Sequence, residues 1–525
     1  MDRGNGQELR KADVAMAVVL FAAAIALRVP FRSQFAYHWD SAQFVLAINE
    51  YDIRLSQPHA PGYFLYVMLG RLLNHFVGDP HSSLVWISVF FGSALPVIVY
   101  LLGTAMFGRT AGVTAGLLAL TSPQVWFHSC VALTYVVDSF LVCTVVLVLW
   151  RAMRRGGKWR DSLMVGGLLA VIGGVRPQSV PLLLPLVAFA FWRFERARVL
   201  KLTVAAGIAI GLGLLWFVPM VRTSGGLETY MEIVRLHEAF NASATFLGGG
   251  WNALFKNAAN VTGFCWNGLW LGTAVLVGAL LHRMFRMTYE QKREWEKQHF
   301  LELAVLAVWI VPMMVFGIVV GFTKQPGYVL SYLPAWFLLI GGLVASLKSK
   351  WQKAVVTFII CAGNIVAFAA WPSQWDGVFL WMGRTAREIV VHDTELSRIT
   401  QAIRRSYSPE RVVVCLSDEY YLYGLRHFQL YLPEYEQYQF AIDKTTLHPP
   451  GKPQWLIRRG HLEFVDKLDL GDKEGIVLVV PPGEKIDIFA PYLSLARAKV
   501  LTNSENGLYF LPTEDVRTEL KHISN

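Results

Sequence analysis

The chain has 525 residues, 54% hydrophobic and 16% charged, with a mean hydropathy of +0.40 and a net charge of +10. Ordinary soluble domains are about 45–50% apolar and about 25% charged; here the excess is gathered into nearly charge-free runs of roughly 17–22 residues, the length that crosses a hydrocarbon core. A soluble enzyme, a disordered chain and a coiled coil are excluded, and the positive charge is no nucleic-acid signal until its position is known.

That position is uneven. Residues 1–371 hold 30 Lys and Arg against 17 Asp and Glu, whereas residues 372–525 hold 18 against 21. The basic excess therefore belongs to the apolar part, as expected where Lys and Arg are retained on the cytoplasmic side of a membrane. The remaining 154 residues have the composition and length of a small soluble domain. The five cysteines (Cys130, Cys143, Cys265, Cys361 and Cys415) form no CxxC pair and predict neither a disulfide framework nor a metal site.

In chain order the predicted spans are 13–30, 82–106, 111–128, 134–151, 162–175, 178–193, 202–221, 265–282, 300–321, 328–347 and 353–371, about eleven transmembrane helices. The polar, basic N-terminus is followed by no clean cleavage site, so the first run is expected to be retained. With the N-terminus inside, the inner connections carry 21 basic residues in 61 positions and the outer ones 9 in 110. This asymmetry predicts a cytoplasmic N-terminus and an extracytoplasmic C-terminal region. The run 62–78 would invert the order if it crossed, so it is expected to lie on the outer leaflet. The predicted organisation is an α-helical polytopic membrane domain, 1–371, with outer loops 31–81 and 222–264, and an extracytoplasmic α/β domain, 372–525. Within the latter, 381–405 reads as an amphipathic helix, 411–418 and 475–482 as buried strands, and 498–503 with 507–512 as a hairpin. Asp418, Glu419 and Tyr420 form a small polar cluster after the first strand.

The first outer loop packs His38, Asp40, Glu50, Asp52, Arg54 and His59 between two membrane-associated runs. Acids held against a bilayer are costly unless paired or used. Asp40 opens the apolar run SAQFVLAI and can serve both as a helix cap and as a base. Asp138, one turn inside a predicted span, is a second candidate. Four cations share the predicted outer side: Arg176 at the Arg-Pro-Gln turn, Lys324 in GFTKQPGY, Arg54 and His59. Tyr328 and Tyr332 can face a donor phosphate or join an aromatic belt at the interface. The stretch ETYMEIVRLHEAF reads as an amphipathic helix covering the site or a lipid entry. Asn241-Ala-Ser and Asn260-Val-Thr match the glycosylation pattern.

The stretches HWDSAQFVLA (38–47), PHAPGYFLY (58–66), VYLLGTAMFGRTAGVTAGLLALTSP (99–123), ALTYVVDSFL (132–141) and GGVRPQSVPLLLPL (173–186) resemble, in order and spacing, the GT-C membrane glycosyltransferases, in the branch related to protein O-mannosyltransferases. The resemblance covers about residues 10–220. It implies transfer of a hexose, mannose among the candidates, from a polyprenyl-phosphate carrier to an acceptor hydroxyl on a glycan, lipid or protein, outside the cytoplasm. It puts Asp40 in the role of base. Ser41 stands where many relatives carry a second acid, and Ala60 separates His59 from Pro61. The chemistry asks for a raised-pKa carboxylate, cations for the leaving phosphate and a slot for the lipid. Arg176, Lys324, Arg54 and His59 are the candidate phosphate ligands, with Asp40 and Asp138 the candidate catalytic acids. No metal or other cofactor is expected, and no nucleic-acid partner. The rival reading is a transporter or flippase of a lipid-linked solute; it would call for repeats and helices broken alike in two halves, and no such repeat is found.

Overall fold

Long apolar helices satisfy their own backbone hydrogen bonds, which is what a chain of this composition needs in lipid. The structure, a computed structural model, describes residues 11–321, 325–370, 384–417, 424–440, 470–480, 485–489, 495, 498–502 and 507–512. Helix α1 (Lys11–Arg28) ends before Pro30. The loop after it holds α2 (Trp39–Asn49) and α3 (Phe64–Val77). Next come α4 (Pro80–Phe107), α5 (Arg109–Thr121), α6 (Pro123–His128), α7 (Tyr135–Arg154), α8 (Trp159–Val175), α9 (Ser179–Trp192) and α10 (Arg198–Thr223). The helical series closes with α11 (Leu227–Asn241), α12 (Phe246–Leu269), α13 (Gly272–Phe285), α14 (Tyr289–Val319), α15 (Leu333–Ala345) and α16 (Lys350–Ala370).

All eleven predicted spans are helical, and the chain is a multi-pass membrane protein. The apolar residues Ile210, Leu212, Leu214 and Leu215 of α10 face outward, as a lipid-facing helix requires. Six helices are long and apolar enough to cross unaided: α1, α4, α7, α10, α14 and α16. Three predicted spans differ in shape. The run 111–128 is split at Ser122, because Pro123 opens a new helix. The run 265–282 is broken after Leu269, where Trp270 has φ +46°, and α12 and α13 meet at 104°; taken as one bent span they make a seventh crossing. The run 328–347 begins as a 3-10 turn, Pro326–Ser331, ahead of α15. Helix α3 has 14 residues, about 21 Å at 1.5 Å each, and like α9 and α15 is a shorter apolar helix. Its Arg71 donates to the carbonyls of Ala47 and Ile48, tying it back to α2.

The C-terminal region holds α17 (Ala386–Ser406), β1 (Val412–Ser417), α18 (Leu425–Tyr431), β2 (Glu436–Phe440), β3 (Gly475–Val479), β4 (Lys499–Thr502) and β5 (Leu508–Pro512). The sheet order is β2-β1-β3-β5-β4: β1 pairs in parallel with β2 and β3, and β5 runs antiparallel to β3 and β4. The predicted strands and hairpin are present; β2 and α18 are additions. Helix α17 buries Leu396, Ile399 and Ile403 against Val412, Val414 and Val477 on one sheet face. Val413, Cys415, Ile476 and Leu478 fill the other, as expected for parallel strands covered on both sides. The expected boundary at 371/372 and the cluster Asp418, Glu419 and Tyr420 lie outside the described residues.

This region grips the start of the first loop. The Asp393 carboxylate accepts from the backbone N–H groups of Gln34 (2.6 Å) and Phe35 (3.3 Å). The Ala36 N–H donates to the Tyr431 hydroxyl at 2.6 Å, and the Tyr37 hydroxyl donates to buried Glu388 at 2.6 Å, with Arg384 bridging the pair. Arg426 donates to the Leu55 carbonyl at 2.6 Å. Residues 34–37 are thus fixed from outside the helical bundle, just ahead of α2.

Removing one partner of a hydrogen bond to a charged group costs about 1.5–3 kcal/mol. The Asp393→Ala variant is therefore expected to lower the thermal unfolding midpoint of the full chain in detergent, whereas Val390→Ala, at an exposed position on the same helix, leaves it unchanged.

Candidate active site

His38 caps α2: its ring Nδ1 accepts from the Asp40 backbone N–H at 3.1 Å. The cap puts Asp40 in the first turn, where the exposed N–H groups of a helix favour a negative charge. The Asp40 carboxylate is 22% exposed and lies 3.7 Å from His38 Nδ1 and 3.8 Å from His59 Nδ1. His59 reaches it from the turn before α3, and its Nδ1 sits 2.7 Å from the Gln43 carbonyl oxygen. His237 of α11 closes the group, with its ring 5.9 Å from that of His59.

Arg176 ends α8, where Pro177 prevents the helix from continuing. Its Nη1 donates to Thr134 Oγ1 at 3.1 Å, and its guanidinium lies 4.3 Å from the ring centres of both Tyr135 and Tyr328. Two aromatic faces and a hydroxyl hold a cation in place without neutralising it. Nη2 is buried with no hydrogen-bond partner among the described residues. Gly327 makes the arrangement possible: a Cβ there would come within 2.2 Å of the Tyr135 ring. His38, which caps the helix that opens on Asp40, is joined through Gln325 to Tyr135, whose ring lies 4.3 Å from the Arg176 guanidinium. The carboxylate and the guanidinium therefore share one polar centre.

Four predicted residues converge here. Asp40 and His59 come from the first loop and Arg176 from the α8–α9 turn. Asp138, buried in the first turn of α7, lies in the field of Arg176. Arg54 is engaged elsewhere: it forms a two-pronged ion pair with Asp52, at 2.6 Å and 3.0 Å. Lys324 lies outside the described residues. Tyr328 and Tyr332 do not form an interfacial belt: both line a cavity, and Tyr332 is buried with its hydroxyl 3.6 Å from Cys265 Sγ. Asn241 closes α11, and Asn260 sits inside α12 facing the same cavity.

Sequence reasoning did not single out Gln325. Its side-chain amide lies 2.8 Å from His38 Nε2 and 3.3 Å from the Tyr135 hydroxyl, joining the loop before α15 to the cap of α2 and the start of α7. His38 was visible in the motif as a neighbour of Asp40; His237 and Gln325 carried no local signal.

Beside Arg176 opens a cavity, partly open to the outside. It is lined by polar groups, among them Arg176, Gln178, Asn257 and Gln325, and by apolar residues such as Leu182, Phe264 and Phe316 from α9, α12 and α14. A cavity lined by a cation and by hydrocarbon suits an amphiphile with an anionic head. Among the described residues no group of three or more His, Cys, Asp or Glu side chains converges as a metal-ligand set.

Residues 58–222 match the family described as dolichyl-phosphate-mannose-protein mannosyltransferase. The chain is also similar to ArnT from Cupriavidus metallidurans. With the apo form the TM-score is 0.56 at 14% identity, over 95% of this chain and 98% of that one. With the form bound to undecaprenyl phosphate it is 0.55 at 13% identity, over 95% and 97%. This chain has the GT-C fold of membrane glycosyltransferases. Archaeal oligosaccharyltransferase from Archaeoglobus fulgidus, solved with a tethered acceptor peptide, shares 11% identity over 82% of this chain and 64% of that one, at a TM-score of 0.47. No curated protein sequence matches the chain. Within the GT-C fold of this chain, the polar centre lies where the first loop, the α8–α9 turn and the segment before α15 meet.

Burial holds the loop histidines neutral. It pushes His38 down to about 4 and His237 to about 4, and His59 to about 3, the last with help from the Arg176 charge. Unfolded histidines titrate near 6.5. Between about pH 6.5 and about pH 4 the unfolded chain takes up protons that the folded chain refuses, so stability is lost on acidification. Unfolding midpoints measured from pH 7.5 to pH 4.5 are expected to fall, with a shallower slope in His59→Asn.

Proposed function

We propose that the chain is a glycosyltransferase that moves a hexose from a polyprenyl-phosphate carrier to an acceptor hydroxyl, on the membrane face opposite the basic connections. The observation that carries the reading is a buried guanidinium that is clamped but not neutralised at the edge of a cavity, in one polar centre with Asp40, whose capping residue His38 is joined through Gln325 to the Tyr135 that packs on Arg176. The ArnT structure bound to undecaprenyl phosphate supports a polyprenyl phosphate as the occupant of that cavity.

In the proposed step Asp40 accepts the proton of the acceptor hydroxyl as its oxygen bonds to the anomeric carbon. The bond from that carbon to the phosphate oxygen breaks, and the electron pair leaves with the polyprenyl phosphate. A base positioned in this way contributes about 10²–10⁴ in rate. Leaving-group charge is stabilised best by donors fixed beforehand. Arg176 fits this role because its guanidinium is clamped by Thr134 and two aromatic faces while Nη2 stays unpaired. His59, neutral and 3.8 Å from Asp40, gives its one N–H to Gln43, so it does not compete for the proton Asp40 must take and leaves Nε2 as an acceptor for a substrate hydroxyl. Asp138, behind Arg176, is proposed to orient the cation and not to act as the base. Lys324, next to Gln325 in sequence, completes the proposed phosphate set; Arg54 is left out because Asp52 holds it. The acceptor is a glycan, lipid or protein hydroxyl brought to the side of Asp40 that faces His237 and α11.

The orientation rests on the charge asymmetry: the N-terminus and basic connections inside, the first loop, α11 and the C-terminal region outside.

Asp40→Asn is expected to lower the transfer rate from a mannosyl or glucosyl polyprenyl phosphate by about 10²–10⁴ while lipid binding persists; unchanged turnover would remove Asp40 from the chemistry. Arg176→Gln should instead raise the carrier Kd about 10–100-fold, the range of one lost charged hydrogen bond. In intact cells, a cysteine placed at Arg54 should react with an impermeant maleimide, and one at Lys292 only after permeabilisation; the reverse pattern would overturn the orientation.

A further inference from the structure

The cavity beside Arg176 contains two buried amide oxygens that have no hydrogen-bond partner among the described residues. Asn257 of α12 is 1% exposed. Its Nδ2 donates both protons, to the carbonyls of Ala244 (2.9 Å) and Ile318 (3.1 Å). The orientation of the amide is thereby fixed by its neighbours, and Oδ1 is left buried and unpaired in the wall of the cavity. The backbone makes room for this amide: at Gly321, with φ +54°, a Cβ would come 2.0 Å from Asn257 Nδ2 and 2.6 Å from the Ala244 carbonyl. Gln178, beside Arg176, repeats the pattern. Its Oε1 is likewise buried without a hydrogen-bond partner among the described residues.

Buried carbonyl oxygens are almost always paired in folded proteins, and exceptions call for an explanation. Here two such acceptors share one cavity with a guanidinium nitrogen that lacks an acceptor of its own. An isoprenoid tail satisfies none of these atoms. A bare phosphate satisfies only the cation, because it offers acceptors and not donors to an amide oxygen. A phosphate that carries hydroxyl or amino groups satisfies all three.

We propose that Asn257 and Gln178 are sugar-reading residues: their amide oxygens accept hydrogen bonds from hydroxyl or amino groups of the donor sugar while Arg176 holds its phosphate. This rests on the donor reading given above and deepens it. The cavity houses the glycosylated headgroup and not the lipid alone, and the sugar it takes presents free hydrogen-bond donors at two positions. A sugar that is acylated or carries a carboxylate there is rejected, since it would leave the amide oxygens unpaired or repelled.

The test is equilibrium binding to the full-length protein in nanodiscs. The probes are decaprenyl phosphate and decaprenyl-phosphate carrying mannose, glucose or galactose. Wild-type protein is expected to bind at least one glycosylated carrier more tightly than the bare one. Gln178→Met and Asn257→Leu should each weaken that glycosylated carrier about 2–10-fold, the worth of one neutral hydrogen bond, and leave the bare carrier within about twofold. An equal loss for bare and glycosylated carriers in both variants would make the amides helix clamps only and overturn the inference. So would wild-type protein that binds bare carrier as tightly as every glycosylated one, although the donor reading would then survive. Wild-type protein that binds neither kind of carrier overturns the donor reading, and this inference with it.

Discussion

A guanidinium buried among apolar helices is the constraint around which this site is built. Taking a cation out of water is expensive, and the usual remedy is a carboxylate in contact. Arg176 is held in another way, by the Thr134 hydroxyl and the faces of Tyr135 and Tyr328, with Asp138 near but not bonded to it. The charge is located but not quenched, which keeps it available to an incoming anion. Each of those groups comes from a different stretch of chain: the α8–α9 turn, the start of α7 and the segment before α15. Satisfying one side chain therefore fixes the relative positions of three parts of the bundle.

Asp40 is placed by an independent device. The His38 cap sets the start of α2, and Gln325 ties that cap to the Arg176 side of the site. From the other direction α17 and α18 hold residues 34–37 through Asp393, Tyr431 and Glu388. The C-terminal region thus does more than pack its own sheet. It holds the first loop where it enters the bundle, just ahead of the helix that carries the carboxylate. Charged groups brought together from separate segments need this kind of fixed placement if they are to act on one bound molecule, because small misplacements cost large factors in rate.

Much of the architecture could be read along the chain. Runs of low charge located the membrane helices, and the Arg-Pro turn and the acid opening α2 stood out because each breaks a local pattern. The departures have local causes that hydropathy does not register. Pro123 splits one apolar run, and a left-handed residue at Trp270 bends another. Strand β2 was missed because EQYQF is polar enough to look like loop; it belongs to the sheet through its pairing with β1.

The sequence by itself determined the class of protein, the placement of its apolar segments, and the two residues, Asp40 and Arg176, whose charge is out of keeping with their surroundings. It could do so because burial and hydrogen bonding along a helix depend on near neighbours. Only the tertiary structure decided which distant side chains complete the site. Gln325 meets His38 across 287 positions and Tyr135 across 190, and Asn257 is pinned by carbonyls 13 and 61 residues away. Such partners are chosen by how helices pack, and packing is a property of the assembled bundle that no local spacing records.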